Sequence, residues 1–279
     1  MPNNLKKGTS LCFIDRLDLE MLIQLKEYGF ECVELSFSAD TYINKIGYPK
    51  NALRYREMAD QAGIEIRSIH LPFSGEHDIS LLDKEKREKT MEMQFAMIDA
   101  AGAAGIKTAV VHPSSEPIPG AERCERKKMS RENIIRLRER CDLHGMVLAV
   151  ENLPRTCLCN CSAEMIELIS GTGAQICFDT NHSLKESNLD FLRAINASGL
   201  IIDTLHISDY DFTDERHRLP GDGINDWKGI FELLEIHGYN GPIMYEVSSH
   251  PVGRGEITIQ ELAENIAKLK EGEFEALRS

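Results

Sequence analysis

The chain is poor in aromatic side chains, with one tryptophan and 6% Phe, Trp and Tyr together, and short of positive charge, with 32 Lys and Arg against 45 Asp and Glu. The formal net charge of -13 argues against a nucleic-acid partner, because a non-specific grip on phosphates depends on clustered Lys and Arg displacing counterions. No stretch of eighteen apolar residues is present to cross a bilayer, and the lysines within Met1 to Ser10 are not followed by an apolar run long enough for a signal peptide. A cytoplasmic protein with no membrane partner is the expectation. In that setting the eight cysteines read as reduced thiols and not as a disulfide framework. Cys157, Cys159 and Cys161 alternate with single residues, a tighter spacing than zinc sites use, so they read as loop thiols. A glycine-rich phosphate loop after the first strand is also missing, which argues against an open dinucleotide-binding sheet.

Short, β-branched apolar runs alternate instead with helical patterns along the whole chain. The runs are Ser10 to Ile14, Cys32 to Ser36, Ile64 to His70, Thr108 to His112, Met146 to Glu151, Gln175 to Asp179, Ile201 to Ile207 and Pro242 to Val247. Helical spacing fills Leu17 to Tyr28, Ala52 to Ala62, Asp83 to Ala103, Arg123 to His144, Ala163 to Ser170, Leu189 to Asn196, Trp227 to His237 and Ile259 to Lys270. Several of these patterns stop at a glycine, such as Gly63 and Gly238, as a left-handed helix cap requires. The runs are continuously apolar, as in Val147 to Val150, which fits parallel strands covered on both faces. With no linker or low-complexity segment, residues 1–279 predict a single α/β domain, a (β/α)8 TIM barrel with an eight-strand parallel core.

Polar residues recur where these runs end. His70, His112, Glu151, Asp179, His206 and Glu246 close or nearly close six of them. A barrel brings all strand C-termini to one face, so residues remote in sequence become neighbours there. Three carboxylates sharing a small volume raise one another's pKa unless a cation sits among them. Glu151, Asp179, His206 and Glu246 are therefore the expected ligands of one divalent metal ion. Three carboxylates and an imidazole suit Mn, Mg, Co or Zn. A lone acid at a strand end often only caps the next helix or pairs with an arginine, but four such residues on consecutive strands favour a shared site. His70 and His112 read equally as pocket walls or ligands, and His182, just past a strand end, as a binder of substrate oxygen or of a second metal. Cys12 and His144 read as core or surface residues.

These residues fall in segments that resemble the xylose isomerase-like TIM-barrel superfamily of sugar isomerases and epimerases. The resemblance rests on Ser68 to Phe73 (SIHLPF), Val110 to Pro113 (VVHP), Glu151 to Leu153 (ENL), Cys177 to His182 (CFDTNH), Leu205 to Asp209 (LHISD), and His217 to Gly223 (HRLPGDG) with Asp226-Trp227. It implies that Glu151, Asp179, His206 and Glu246 hold the metal and that Glu151 and Glu246 are the catalytic acid-base pair. They would move protons through an enediolate on a small sugar or polyol. His70, His112, His182, Arg155 and His217 are the expected substrate-binding residues, and a homo-oligomer is common in the family. The chain departs from ketose 3-epimerases at Cys157 and Phe212, where those enzymes carry a substrate-handling glutamate and arginine.

The same superfamily contains zinc-dependent apurinic-site endonucleases. Their three-metal ligand order can be laid on His70, His112, Glu151, Asp179, His182, His206, Glu215, His217 and Glu246, with Glu215 where an aspartate is usual. A keto-inositol dehydratase and a non-catalytic sugar-binding barrel are further alternatives. The charge balance and the scarcity of aromatics favour a small-molecule enzyme over the nuclease.

Overall fold

The computed structural model describes residues 4–14 and 16–272. Eight parallel strands lie in the order β7-β6-β5-β4-β3-β2-β1-β8. They are β1 (Lys7–Ser10), β2 (Cys32–Leu35), β3 (Glu65–His70), β4 (Thr108–Val111), β5 (Val147–Glu151), β6 (Gln175–Asp179), β7 (Ile202–His206) and β8 (Ile243–Tyr245). Helices α1 (Leu19–Glu27), α2 (Ala52–Ala62), α3 (Lys84–Ala103), α4 (Arg123–Asp142), α5 (Ser162–Ile169), α6 (Asn188–Ser198), α7 (Trp227–His237) and α8 (Ile259–Glu271) follow the strands in alternation. The result is a (β/α)8 TIM barrel. Its ring is nearly closed: β8 pairs with β1, whereas β7 meets β8 beyond the named strands, through a bridge between Ile207 and Tyr245.

Local chemistry explains where the helices begin and end. Asp18, Asp83, Ser187 and Asp226 accept backbone N–H bonds at the starts of α1, α3, α6 and α7, and Thr258 forms a reciprocal capping box with Glu261 at α8. These side chains satisfy N–H groups that have no partner inside the helix. Gly63 and Gly238 stop α2 and α7 with φ of 67° and 78°, a backbone region costly for residues with a Cβ.

The first strand differs from its expected position at Ser10 to Ile14. The strand is Lys7–Ser10, and Leu11–Phe13 form a 3₁₀ turn in which the Ser10 hydroxyl accepts the Cys12 N–H. Leu11 and Phe13 are apolar because they are buried in the core, which does not require them to be extended. The true strand is small and polar because its space is tight: a Cβ on Gly8 would meet Cys32 Sγ at 2.9 Å.

Two register shifts interrupt the pairing of neighbouring strands. On β2 and β3, Val33 is level with Ile66 but Glu34 with Ser68, so Arg67 is the extra residue. On β6 and β7, Ile176 is level with Ile202 but Cys177 with Thr204. Such bulges re-aim side chains; here the first sets Glu34 beside Ser68.

Candidate metal centre and active site

Glu151 and Asp179 end β5 and β6, His206 ends β7, and Glu246 follows β8 by one residue. One ligand-capable atom from each lies within 4.8 Å of all the others. The barrel brings them together because parallel strands carry their last residues to the same mouth. His206 Nδ1 lies 3.1 Å from Glu151 Oε1, 3.3 Å from Glu246 Oε2 and 3.9 Å from Asp179 Oδ2. Glu151, Asp179 and His206 are buried, and Glu246 retains slight exposure to the mouth.

Burial and charge pull these groups in opposite directions. Burial drives the Asp179 carboxyl well above its usual range, with Glu151 and Glu246 adding to the rise. Burial also opposes ionisation of Glu151 and Glu246, but the neighbouring histidines together outweigh it and hold both carboxyls low, His206 with His112 and His182 at Glu151 and His206 with His217 at Glu246. Burial opposes a charge on His206, but its acidic neighbours, the Cys177 thiol and the Glu246, Glu34 and Glu151 carboxyls, together raise it. Protons on histidine thus do part of the neutralising that three buried carboxylates demand. One atom is left over: Asp179 Oδ2 is buried with no hydrogen-bond partner. An orphaned carboxylate oxygen facing two glutamates and an imidazole nitrogen fits an oxygen-rich divalent cation site.

A cleft of about 360 Å³ opens above this cluster. Glu151 and Glu246 lie at its floor, with His112, His182, Glu215 and His217 in its walls. His112 Nε2 is 3.2 Å from Glu151 Oε2 and its ring stacks on Phe73 at 3.8 Å. Burial lowers the pKa of His112, favouring the neutral ring. His182 Nδ1 bonds to the Asn152 carbonyl at 2.9 Å, while Nε2 approaches Glu215 at 3.1 Å. Burial pushes Glu215 upward, but His182 and then Arg155 outweigh it and bring the carboxyl down to about 2. His182, Glu215 and His217 form a second group with ligand atoms within 4.8 Å of one another.

Two other expected substrate residues stand elsewhere. His70 lies below the cleft, buried, with Nε2 3.0 Å from Glu151 Oε2 and Nδ1 2.9 Å from the Leu71 carbonyl. Arg155 is not among the residues lining the cleft. Its guanidinium is taken up by Glu116, Asp214 and Glu215, so it ties together the loops after β4, β5 and β7. Cys157 and Phe212 likewise lie outside the lining. Burial pushes the Cys157 thiol up to about 12, consistent with an unreactive loop thiol.

Sequence reasoning missed three contributors. Cys12, expected in the core or at the surface, lines the cleft because the chain turns at Leu11–Phe13. Asn152 braces Asp179 through two hydrogen bonds. Glu34 is fully buried and bonds to His206; an acid inside the apolar run Cys32 to Ser36 was the signal for it.

The pattern of the family described as xylose isomerase-like TIM barrel matches residues 22–271. An uncharacterized protein of Methanocaldococcus jannaschii is 25% identical over 248 residues, covering 85% of this chain and 82% of that protein. Among solved structures, a D-tagatose 3-epimerase-like protein superposes with a TM-score of 0.80 at 21% identity, covering 97% of this chain and 98% of the other. A 3-keto-D-glucoside 4-epimerase from E. coli superposes with a TM-score of 0.75 at 22% identity, covering 96% and 99%.

Proposed function

We propose that this chain, which belongs to the xylose isomerase-like TIM barrel family, is a divalent-metal-dependent isomerase or epimerase of a sugar or sugar-like polyol. The observation that carries the reading is the meeting of Glu151, Asp179, His206 and Glu246 around a buried, unpartnered carboxylate oxygen at the floor of a cleft. Those four residues would hold Mn, Mg, Co or Zn. When bound, the cation supplies stabilisation of negative charge as it develops on neighbouring substrate oxygens.

Glu151 and Glu246 supply the proton chemistry. One removes a proton from the carbon next to the substrate carbonyl, leaving an enediolate, and the other returns a proton to carbon from the opposite side. Both glutamates line the cleft, and an ionised carboxylate there can accept a proton. His112, His182 and His217 line the same cleft and would bind substrate hydroxyls. The names of the two similar structures, a 3-epimerase-like protein and a 4-epimerase, support this substrate class.

The test is exchange of carbon-bound hydrogen with solvent. A panel of ketoses, aldoses and inososes, free and phosphorylated, is incubated in D₂O with Mn²⁺, Mg²⁺ or Co²⁺ and read by NMR. Deuterium at a carbon next to a carbonyl is the expected result; no uptake with any substrate or metal rejects the reading. Full exchange by Glu246→Gln would remove that residue from proton transfer.

The His182, Glu215 and His217 group favours a second reading, a multi-metal hydrolase of the apurinic-site endonuclease kind, in which clustered cations activate water. Metal analysis returning two or three ions per chain, together with cleavage of an abasic duplex, would establish it in place of the isomerase.

A further inference from the structure

We propose that Glu34 is a positioning residue that decides which imidazole nitrogen of His206 faces the cation, and the inference rests on the reading that His206 is a metal ligand. Glu34 does not belong to the four-residue cluster. It lies in the middle of β2, on the far side of the His206 ring, and its Oε1 is 2.9 Å from His206 Nε2. Both side chains have no solvent exposure. Its other oxygen, Oε2, accepts the Ser68 hydroxyl at 2.7 Å. The bulge that makes Arg67 the extra residue of β3 is what brings Ser68 level with Glu34.

Both ring nitrogens of His206 face carboxylates, and once the ring ligates a cation and is neutral, the donor and acceptor inventory leaves one arrangement. A carboxylate only accepts, and a neutral imidazole has one N–H and one lone pair. With Ser68 donating to Oε2, Oε1 is filled by the N–H on Nε2, so the lone pair is on Nδ1. Nδ1 is the atom that faces Glu151, Glu246 and Asp179. Glu34 therefore fixes the proton on the remote nitrogen, locks the ring plane and raises the basicity of the nitrogen turned toward the site. A purely structural role would be costly. Among the described residues no lysine or arginine pairs with Glu34, and His206 is its one ionic partner. Burial of a carboxylate for packing alone is disfavoured against an apolar side chain of similar volume.

The test compares Mn²⁺ affinity, read from the EPR signal of the free ion, in the wild-type protein and in Glu34→Met, Glu34→Gln and His206→Ala. Methionine keeps the length of the side chain but removes the acceptor, and a loss of affinity of about 10- to 100-fold is expected. Glutamine retains an oxygen that can accept from Nε2 and should recover most of that loss. In parallel, ¹⁵N-histidine NMR of the Zn²⁺-loaded wild-type protein should show the His206 proton on Nε2, a measurement that needs no folded variant. A proton on Nδ1, or wild-type affinity in Glu34→Met, overturns the proposal. If His206→Ala weakens Mn²⁺ while Glu34→Met does not, the role of Glu34 fails and the metal site stands. If His206→Ala binds Mn²⁺ like wild type, the ligand reading itself fails and the role of Glu34 with it.

Discussion

Asn152 and Asp179 clasp each other across the ends of β5 and β6. The Asn152 side-chain amide donates to the Asp179 carbonyl at 2.9 Å, and the Asp179 N–H donates to Asn152 Oδ1 at 2.8 Å. The Asn152 carbonyl meanwhile meets His182 Nδ1. One residue next to Glu151 thus sets the backbone of a second proposed ligand and the ring of a wall histidine. Asn152→Ala leaves the buried Asp179 N–H without its partner, at an expected cost of about 1–3 kcal/mol. Urea unfolding should show that loss, and Mn²⁺ titration a weaker site. Unchanged stability and affinity would mean the clasp is incidental.

Cation binding to the native state alone stabilises it by mass action. At a free Mn²⁺ concentration a hundredfold above Kd, the gain is about 2.7 kcal/mol, visible as a higher Tm. Asp179→Asn should abolish this increment. Without metal the variant should melt no lower than wild type, because the carboxyl it replaces is already disfavoured by burial and has an unpartnered oxygen. A metal-dependent rise in the variant equal to that of wild type would exclude Asp179 as a ligand.

The loop between β7 and α7 depends on a close approach at Gly223. Asp209 accepts N–H bonds from Tyr210, Gly221 and Asn225 and from the Trp227 indole. A Cβ on Gly223 would collide with the Asp209 carboxylate and with the Tyr210 carbonyl. Gly223→Ala should destabilise the fold by about 1–3 kcal/mol, as overpacking does. It should also reduce substrate deuterium exchange, because the displaced loop carries His217. A Tm within a degree of wild type would show that the loop absorbs the extra carbon.

Far from the cleft, Asp99 pairs with Arg140 and, at 2.9 Å, with His144. Arg140, followed by His144, holds the Asp99 carboxyl below its ordinary value. A carboxyl lowered by folding contributes stability that is present above its unfolded pKa of about 3.9 and lost as pH falls through the lower folded value. The pair is over a third exposed, so solvent screening limits its worth to about 1 kcal/mol. Asp99→Asn should therefore be slightly less stable than wild type at pH 7, with the gap closing below about pH 4. A gap that does not narrow at all as pH falls below about 4 would point to packing instead of charge.

The barrel was legible because burial on both faces leaves continuous apolar runs, and the meeting of Glu151, Asp179, His206 and Glu246 because polar residues closing such runs are conspicuous. What escaped shares a physical cause. Leu11 to Ile14 look like a strand because an apolar turn and an apolar strand have the same composition, while the true β1 is polar and small where Gly8 packs against Cys32 and Met244. Arg155 carries no mark in the sequence that Glu116, Asp214 and Glu215 will converge on it, since two other loops, after β4 and after β7, supply them. Glu34 was visible as a charge in an apolar run, but its partner is 172 positions away, and only the closing of the barrel brings the two together.

The join between β7 and β8 gives the ring its thinnest hydrogen bonding, and His206 and Glu246 stand on opposite banks of it. The Ile207 N–H reaches the Met244 carbonyl at 2.8 Å, and the Glu246 N–H reaches the Ile207 carbonyl at 3.0 Å. An ion gripped by both side chains would act as a rivet across that join, so loading the site and stiffening the cylinder become one event. Amide protons of Ile207 and Glu246 should then exchange more slowly once manganese is added, coupling the mouth of the molecule to the integrity of its wall.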